Sequence, residues 1–297
     1  MNFLWLVVAV QIIAESLPIS SSSHVRIIEL FFLSAQQLQT LPAYFDHLLH
    51  GPTVLIVMIF FVREWFRPFR LLWLGFIEFF RRGRMRDSLR RLCMIFFRLV
   101  GLVVVCSVLP IFMMYGVIKP VLAHSEWFAS VWLVVIGLMI TSALLVSLRF
   151  VPLFVGRGPA SMVRSPVTIF SATTLGVVQA IALFPGISRF ASTFVAARWL
   201  GFTPRRAFQV CFLIEFPLIV AGFGINGIGG LLHTSGWTVL FSWDVVGAIV
   251  VSTVLAYICL GFAKWMAHTG RLWWFGLYVW IPILLLTIPT IIGIVGR

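Results

Sequence analysis

Long apolar runs set the first limit on what this chain can fold into. A helix needs roughly 20 predominantly apolar residues to cross the hydrocarbon core of a bilayer. Hydrophobic residues make up 61% of the chain and charged residues only 10%, whereas about a quarter of a soluble globular chain is charged. We therefore expect an all-α polytopic membrane protein. Six runs are predicted to be complete spans, at residues 49–65, 94–118, 127–148, 207–225, 243–265 and 273–295.

The basic residues are distributed so unevenly that they predict the orientation of these spans. The formal net charge is +13, and ten arginines fall between Arg63 and Arg98. Alternating the six spans places the arginine-rich region and three further basic clusters on one face, which the positive-inside rule assigns to the cytoplasm, and places the loop 119–126 and the segment 226–242, which have few basic residues, on the other. The charge therefore indicates contact with membrane lipids and not with nucleic acid. The three further clusters are Arg149, Arg157 and Arg164, then Arg198, Arg205 and Arg206, then Lys264 and Arg271.

Two further regions alternate between apolar and polar sequence and do not fit a simple span. Residues 3–34 are apolar, then polar at 15–24, then apolar again, and residues 167–203 repeat this order around 184–193. Each region is predicted to be two half-helices that meet at a break. Non-helical backbone within a membrane is tolerated only where it is buried in protein or lines a wet cavity. The breaks are therefore the first places to look for a site.

The two interrupted regions also resemble each other. "VQIIAESLPIS" (10–20) lies over "VQAIALFPGIS" (178–188) with six of eleven positions identical, including both glutamines and both serines. Because the spans between them reverse the direction of entry, the regions are predicted to form an inverted-topology repeat, with sites where the broken helices meet. The expected architecture is six transmembrane helices plus two re-entrant helix pairs. All of it belongs to one integral membrane domain, 1–297, with a first repeat at about 1–118, a second at about 127–297 and a cytoplasmic arginine-rich loop at about 66–93.

The first break carries a carboxylate, hydroxyl groups and an imidazole. Gln11 and Glu15 are four residues apart and share a helix face. A proline then ends that half-helix, and Ser20 or Ser21 can cap the next one. His24 follows these serines at helical spacing, so a hydroxyl can reach the imidazole. A serine becomes a useful nucleophile only when such a base accepts its proton.

The second break carries an anion-binding pattern. Pro185 and Gly186 interrupt the helix, and Ser188 and Arg189 open the next one, with Thr193 four residues on. An arginine beside the free N–H groups of a helix N-terminus suits a phosphate, and an arginine within a membrane requires an anionic partner. Together the two breaks hold the parts of a metal-assisted phosphoryl transfer.

These motifs resemble those of the undecaprenyl-diphosphate phosphatase family, the bacitracin-resistance-type membrane phosphatases of bacteria. "ESLPISSSSH" is similar to its E-x-x-x-E-x-x-P-V/I-S-S-T-G-H region, and "GVVQAIALFPGISRFAST" to its G-x-x-Q-x-x-A-L-x-P-G-x-S-R-S-G-A-T signature. "FDHLLHGPTVLIV" (45–57) resembles its F-D-V-x-L-H-L-G-T segment, and "CFLIEFP" a following S-F-L-L-x-x-P stretch. The resemblance runs in order over most of the chain but is absent from the arginine-rich 63–98 region.

The resemblance implies hydrolysis of C55 isoprenyl diphosphate to the monophosphate carrier of peptidoglycan synthesis. The enzyme would lie in the bacterial inner membrane with its active site facing the periplasm. By position, Glu15 would bind a divalent cation, Mg or Ca, with Gln11 beside it. Ser21 would be the nucleophile and His24 its base or general acid, although His24 as the attacking group stays open, and Arg189 would clamp the diphosphate. Further substrate contacts are predicted at Ser20, Gly186, Ser188 and Thr193.

Several residues depart from the family pattern. Gln11 stands where the first glutamate is expected, and a neutral amide should bind a cation less tightly. The glycine of the first motif is Ser23, and Phe190 and Ala191 replace the Ser-Gly pair after the arginine. Glu215 stands inside a span at a small or apolar position, where a buried carboxylate requires a reason. It either resupplies the carboxylate lost at position 11, or pairs with a cytoplasmic-side arginine or stays protonated.

Three other functions were weighed against this one. Acid-phosphatase-like lipid phosphatases place a histidine and then an aspartate after a Ser-Arg pair, where this chain has Val195 and Trp199, so that class is rejected. An isoprenyl-phosphate lipid transporter or flippase would keep the repeat and Arg189 but would not need the serine, histidine and carboxylate as a set. A factor that only binds the lipid carrier is the third. The sequence leaves homodimer formation open.

Overall fold

Helix is the regular structure throughout the part of the chain that the computed structural model describes, residues 2–32, 44–82, 87–113, 116, 130–152, 168–233 and 243–291. The helices are α1 Asn2–Glu15, α2 Ser21–Phe32, α3 Phe45–Leu48, α4 His50–Arg82, α5 Asp87–Met113, α6 Val131–Ser147, α7 Ile169–Ile181, α8 Arg189–Trp199, α9 Pro204–Ala221, α10 Gly229–His233, α11 Trp243–His268, α12 Trp274–Tyr278 and α13 Trp280–Ile291. A 3-10 turn extends α6 to Phe150, and a π-helix, Gly222–Ile228, joins α9 to α10. The loop 119–126, residues 234–242 of the second outer segment, and Arg157 and Arg164 lie outside the described residues.

Four of the predicted spans are confirmed as helical stretches long and apolar enough to cross a membrane. Their exposed faces carry large apolar side chains such as Ile136, Val250 and Leu284, which lipid solvates without the cost of ordering water. The expectation of an all-helical protein with several membrane-crossing elements is therefore confirmed. The four stretches are Val131–Phe150, Pro204–His233, Val246–His268 and Trp274–Ile291.

The arginine-rich region differs from its prediction as a loop at about 66–93. α4 continues to Arg82 and α5 begins at Asp87, so most of this region is helical. α4 has 33 residues and is about 50 Å long, whereas a bilayer core is about 30 Å thick. Arginine and leucine are good helix formers. A cluster of arginines therefore indicates where the chain leaves the membrane, but it does not end the helix.

Both predicted breaks are present. α1 ends at Glu15 and α2 begins at Ser21, with Ser20 at a φ of 63°, a left-handed conformation that non-glycine residues seldom adopt. α7 ends at Ile181 and α8 begins at Arg189. The Ser188 hydroxyl caps α8 by accepting a hydrogen bond from the Ala191 N–H at 3.3 Å, a role for which serine is one of the preferred residues.

The second break packs against α6 so closely that glycine is required on both sides. A Cβ on Gly137 would lie 2.2 Å from the Pro185 carbonyl oxygen, and a Cβ on Gly186 would lie 2.2 Å from that of Val134. Gly186 also has a φ of 86°, which favours glycine. The Thr141 hydroxyl, 3.0 Å from the Gly186 carbonyl oxygen, accepts from the Ser188 N–H at 3.0 Å. The backbone N–H and carbonyl groups that the helix break leaves unpaired thus find hydrogen-bond partners within the protein, which a membrane environment requires.

Phe190, one of the departures from the family pattern, belongs to the apolar core. Its ring lies 4.9 Å from that of Phe212 and 5.6 Å from that of Phe208, centroid to centroid, and 3% of the residue is exposed. Phe61 of α4 closes the cluster against Phe212 at 5.4 Å. Offset and tilted aromatic pairs of this kind add to the stabilisation that burial gives. The cluster joins α8, α9 and α4 beneath the second break.

The close approach of α6 to the break gives a prediction about Gly137→Ala. The added methyl would overlap a carbonyl oxygen, so α6 and the break must separate, and overpacking of this kind costs about 1–3 kcal/mol. We expect a lower thermal unfolding temperature for the purified protein. Gly261→Ala in α11 is the matched control, because its Cβ would meet nothing within 4 Å and alanine favours helix. Equal unfolding temperatures for Gly137→Ala and wild type would contradict the packing role.

Candidate active site

A cavity of about 340 Å³ lies where the two breaks meet the start of α4 and the middle of α9. Its walls include apolar residues such as Leu17, Phe184 and Phe212, which lower the local dielectric and strengthen the interactions of the polar groups that converge on it. A concave site in which polar groups converge between apolar walls is suited to a small ligand. The polar side chains in its lining are Gln11, Glu15, Ser20, Ser21, Ser22, His47, His50, Thr53, Ser188, Arg189 and Glu215.

The Glu15 carboxylate is held on the first side of the cavity by donors from two helices. Its Oε1 lies 2.6 Å from Nδ1 of His50 and 3.3 Å from the Gln11 amide nitrogen, and its Oε2 accepts from the Thr53 hydroxyl at 2.5 Å. His50 opens α4, and Thr53 follows three residues later on the same face. A carboxylate at the last residue of a helix opposes the helix dipole, so these donors compensate for its position as well as for its burial.

Arg189 lies on the opposite side of the cavity and is paired with Glu215. Nε of Arg189 is 3.3 Å from Oε1 of Glu215, and the two side chains are 25% and 9% exposed. Arg189 is also the first residue of α8, where the positive end of the dipole disfavours a cation. Its anionic partner, which the sequence required but did not identify, is therefore Glu215. Glu215 thus pairs with the arginine of the second break and not with a cytoplasmic-side arginine, and its part in replacing the carboxylate lost at position 11 stays a hypothesis.

The serine segment of the first break presents hydroxyl groups to the cavity. Ser21 opens α2 and lines the cavity, and the hydroxyl groups of Ser20 and Ser22 lie 3.2 Å apart. The Ser20 carbonyl oxygen accepts from the Ser23 hydroxyl at 2.8 Å. Ser23, which replaces a family glycine, is fully buried and so fixes the turn from within. These contacts stabilise the left-handed conformation of Ser20, and Ser21 follows it at the edge of the cavity.

His24 lies outside the described lining of the cavity. Its Nδ1 is 2.8 Å from the Ser20 carbonyl oxygen, and its Nε2 is 3.1 Å from the Tyr278 hydroxyl, with the two rings stacked. Both ring nitrogens therefore have partners other than a serine hydroxyl. In this conformation His24 ties the turn before Ser21 to α12.

Some of the other predicted substrate contacts line the cavity and others do not. Ser20, Ser188 and Arg189 line the cavity. Gly186 does not belong to that lining, and its part is the turn against α6. Thr193 is 1% exposed and its hydroxyl donates to the Arg189 carbonyl oxygen at 2.7 Å. A contact between Thr193 and substrate stays a prediction, because the Thr193 hydroxyl is buried in this conformation.

Sequence reasoning missed His50 and Thr53, although both hold Glu15. The signal was available in "FDHLLHGPT", where a histidine and a threonine three residues apart begin a helix. The segment was noted only for its family resemblance, because nothing in its spacing connects it to position 15. Their contact with Glu15 depends on how α4 packs against α1, which is a property of the folded chain.

Whether these residues suit a divalent cation depends on the donors around Glu15. In the described part of the chain, no group of three or more His, Cys, Asp or Glu side chains is arranged to hold a metal. Oε1 of Glu15 lies 2.6 Å from Nδ1 of His50, and Oε2 accepts from the Thr53 hydroxyl. Mg²⁺ is commonly bound through one or two carboxylates together with substrate phosphates. A cation at Glu15 and Gln11 would therefore need further ligands, such as phosphate oxygens.

Comparisons with known proteins identify a matching family and several relatives of this chain. Residues 5–285 match the family described as "Bacitracin resistance protein BacA". The chain is 28% identical to the undecaprenyl-diphosphatase of Treponema denticola over 277 residues, which cover 93% of this chain and 91% of that protein. It is 29% identical to that of Korarchaeum cryptofilum over 256 residues, 85% of this chain and 88% of the relative. Undecaprenyl-diphosphatase 1 of Shouchella clausii is 24% identical over 280 residues, 94% and 92% of the two chains.

The role of Thr141 in placing the start of α8 gives a second prediction. Thr141→Val keeps the shape of the side chain but leaves the Ser188 N–H and the Gly186 carbonyl without their hydroxyl partner, and each such buried group costs about 1–3 kcal/mol. We expect a lower thermal unfolding temperature and weaker binding of pyrophosphate. Thr174→Val is the control, since that hydroxyl donates to the Phe170 carbonyl of its own helix. Wild-type behaviour of Thr141→Val would show that the hydroxyl does not position the break.

Proposed function

The chain belongs to the bacitracin resistance protein BacA family, and on that premise we propose that it hydrolyses undecaprenyl diphosphate to undecaprenyl phosphate and inorganic phosphate. The observation that carries the proposal is the cavity in which a fixed carboxylate, serine hydroxyls and an arginine meet from both breaks. These groups match the needs of phosphoryl transfer, which are positioning and charge stabilisation. The product is the lipid carrier of cell-wall synthesis.

Arg189 binds the diphosphate in this proposal. Its guanidinium can donate two parallel hydrogen bonds to phosphate oxygens, and the N-terminus of α8 behind it adds N–H groups and the positive end of a dipole. Ser188 caps that helix and lines the cavity beside it. In an apolar cavity these interactions are stronger than in water, so they favour the charge that develops as the phosphoryl group transfers.

Ser21 is the nucleophile that the geometry favours over His24. It lines the cavity, whereas both nitrogens of His24 have other partners. The Ser21 oxygen attacks the terminal phosphorus, the bridging P–O bond breaks, and the lipid monophosphate leaves with the bridging oxygen. Water then cleaves the phosphoserine, which releases inorganic phosphate and restores the hydroxyl. His24, three residues along the same helix, is the proposed acceptor of the serine proton and would exchange its contact with Tyr278 or with the Ser20 carbonyl.

A divalent cation, Mg or Ca, is proposed to bind at Glu15 and Gln11 together with the diphosphate. When bound, it supplies positive charge that stabilises the leaving phosphate oxygen. The Thr53 hydroxyl and the His50 imidazole keep the Glu15 carboxylate directed into the cavity. Gln11 contributes an uncharged oxygen, so the site depends more on the substrate's own charge for cation affinity than a site with two glutamates.

The finer architecture is proposed to be six spans plus two re-entrant helix pairs in an inverted repeat, the repeats lying at about 1–118 and 127–297 of a single domain. The helix bounds support it. In the register that pairs Val10 with Val178, the first residues of α2 and α8, Ser21 and Arg189, coincide. The exposed arginines of α4, such as Arg63 and Arg81, are assigned to the cytoplasm. The cavity then faces the periplasmic side of the inner membrane, and homodimer formation stays an open prediction.

The decisive experiment measures phosphate release from undecaprenyl diphosphate by purified full-length protein, with and without a chelator. We expect release of one phosphate per lipid and strong inhibition by the chelator that added Mg²⁺ or Ca²⁺ reverses. Full activity in the chelator would reject the cation. Failure to release phosphate, combined with movement of the lipid across a vesicle membrane, would replace hydrolysis with transport.

Arg189→Ala tests the clamp within the same assay. Loss of a charge-assisted contact to a desolvated diphosphate should lower turnover far more than tenfold, where tenfold corresponds to about 1.4 kcal/mol. Arg26→Ala is the control, because Arg26 pairs with Glu29 at 3.0 Å on α2 and has no place in the cavity lining. Retention of more than about a tenth of wild-type turnover by a folded Arg189→Ala protein would reject the clamp.

Single cysteines test the orientation. In a background without the four native cysteines, a cysteine at Asp87 should react with an impermeant thiol reagent only from the cytoplasmic side, and one at His233 only from outside. The reason is that the arginines around position 87 are retained in the cytoplasm and an odd number of crossings separates the two positions. Labelling of both from one side would contradict the six-span arrangement.

A further inference from the structure

Glu215 is a buried carboxylate that directly faces the proposed phosphate site. It lies on the face of α9 that lines the cavity, between Phe212 one turn before and Ile219 one turn after. Its Oε1 is 3.3 Å from Nε of Arg189, and 7% of the residue is exposed. A carboxylate placed in this way occupies part of the clamp before any substrate arrives.

The geometry of the pair leaves the clamp usable. Arginine has five N–H donors in a rigid planar fork, and the contact with Glu215 is made through Nε. The closest contact with Glu215 uses one of these donors, and the two Nη groups can donate to two oxygens of a phosphate. Glu215 therefore fixes the direction of the guanidinium while it adds a negative charge next to the bound anion.

The nearest partners of Glu15 are residues of α4, whereas the nearest partner of Glu215 is Arg189. His50 and Thr53 bind its two oxygens on the α4 side of the cavity. Gln11 beside it is neutral. The carboxylate that competes for Arg189 is thus Glu215, and like charges in a low-dielectric cavity repel strongly.

We propose that Glu215 is the resident counter-ion of Arg189 and that it limits the affinity of the clamp for free phosphate groups, so that inorganic phosphate leaves after each turnover. An arginine at a helix N-terminus in an apolar cavity would otherwise retain phosphate as a tightly bound product. The inference rests on the proposed function for its role in turnover, but the effect on phosphate affinity is a property of the cavity alone. Glu215 is a positioning residue in this account, since it acts through Arg189.

Glu215→Gln tests the proposal because it removes the charge and keeps an oxygen that can accept from Nε. Binding of pyrophosphate and of inorganic phosphate to purified full-length protein would be measured by calorimetry without lipid substrate. We expect both to bind about tenfold more tightly to Glu215→Gln than to wild type, and inorganic phosphate to become a correspondingly stronger inhibitor. Unchanged or weaker binding would overturn the proposal.

Three further variants make the result specific. Glu29→Gln removes the carboxylate of another arginine pair, outside the cavity, and should leave phosphate binding unchanged. Glu215→Ser removes the charge with a smaller side chain and should also tighten binding, which decides the matter if Glu215→Gln is unstable. In an Arg189→Ala background, Glu215→Gln should lose its tightening effect, and persistence of that effect would show that Glu215 does not act through Arg189.

The outcome separates this inference from the proposed function. Tighter phosphate binding in Glu215→Gln, together with no hydrolysis by wild type, would reject the phosphatase and leave the counter-ion in place. Hydrolysis by wild type together with unchanged phosphate binding in the variant would reject the counter-ion and leave the phosphatase in place.

Discussion

Backbone that leaves a helix inside an apolar environment must obtain its hydrogen bonds from the protein, and the whole site depends on how this chain meets that requirement. At the second break the Thr141 hydroxyl serves both the Gly186 carbonyl and the Ser188 N–H. Gly137 permits the approach, because any side chain there would occupy the position of the Pro185 carbonyl. The second break is thus packed against α6, and this packing fixes where α8, which opens at Arg189, begins.

The charges in the cavity follow a second constraint, which is that each buried charge needs a partner. Glu15 has its partners on α4, and Arg189 has its carboxylate partner on α9, so the charge at each break is compensated by a helix outside the broken pair. Buried pairs of this kind contribute little net stability, but removal of one partner is costly. α4 and α9 therefore contact the two breaks in two ways. One is through the charged pairs, and the other is through the aromatic cluster of Phe61, Phe190 and Phe212.

Local features of this fold could be predicted from the sequence, and contacts between distant elements could not. The breaks, the Ser188 cap and most spans follow from apolar length, proline and glycine, which act within a few residues. Pairing of Arg189 with Glu215 and of Glu15 with His50 depends on helix packing between elements that no local pattern connects. The helical course of the arginine-rich region was missed because hydropathy reports the environment of a segment and not its backbone conformation. His24 was placed near a serine by spacing alone, whereas its ring nitrogens are engaged by the Ser20 carbonyl and Tyr278.

The departures from the family pattern form one connected change around α9. Phe190 replaces a hydroxyl beside the arginine with a ring that packs on Phe212, which removes a polar group from the surroundings of the guanidinium. Glu215, one turn along from Phe212, supplies an acceptor for Nε. Gln11 removes one negative charge from α1. The family motif places two carboxylates on the same helix face, whereas here one carboxylate lies on α1 and the other on α9, and both line the cavity. The site therefore has two carboxylates, as the family motif does. One of them, Glu215, is paired with the arginine that is proposed to bind phosphate.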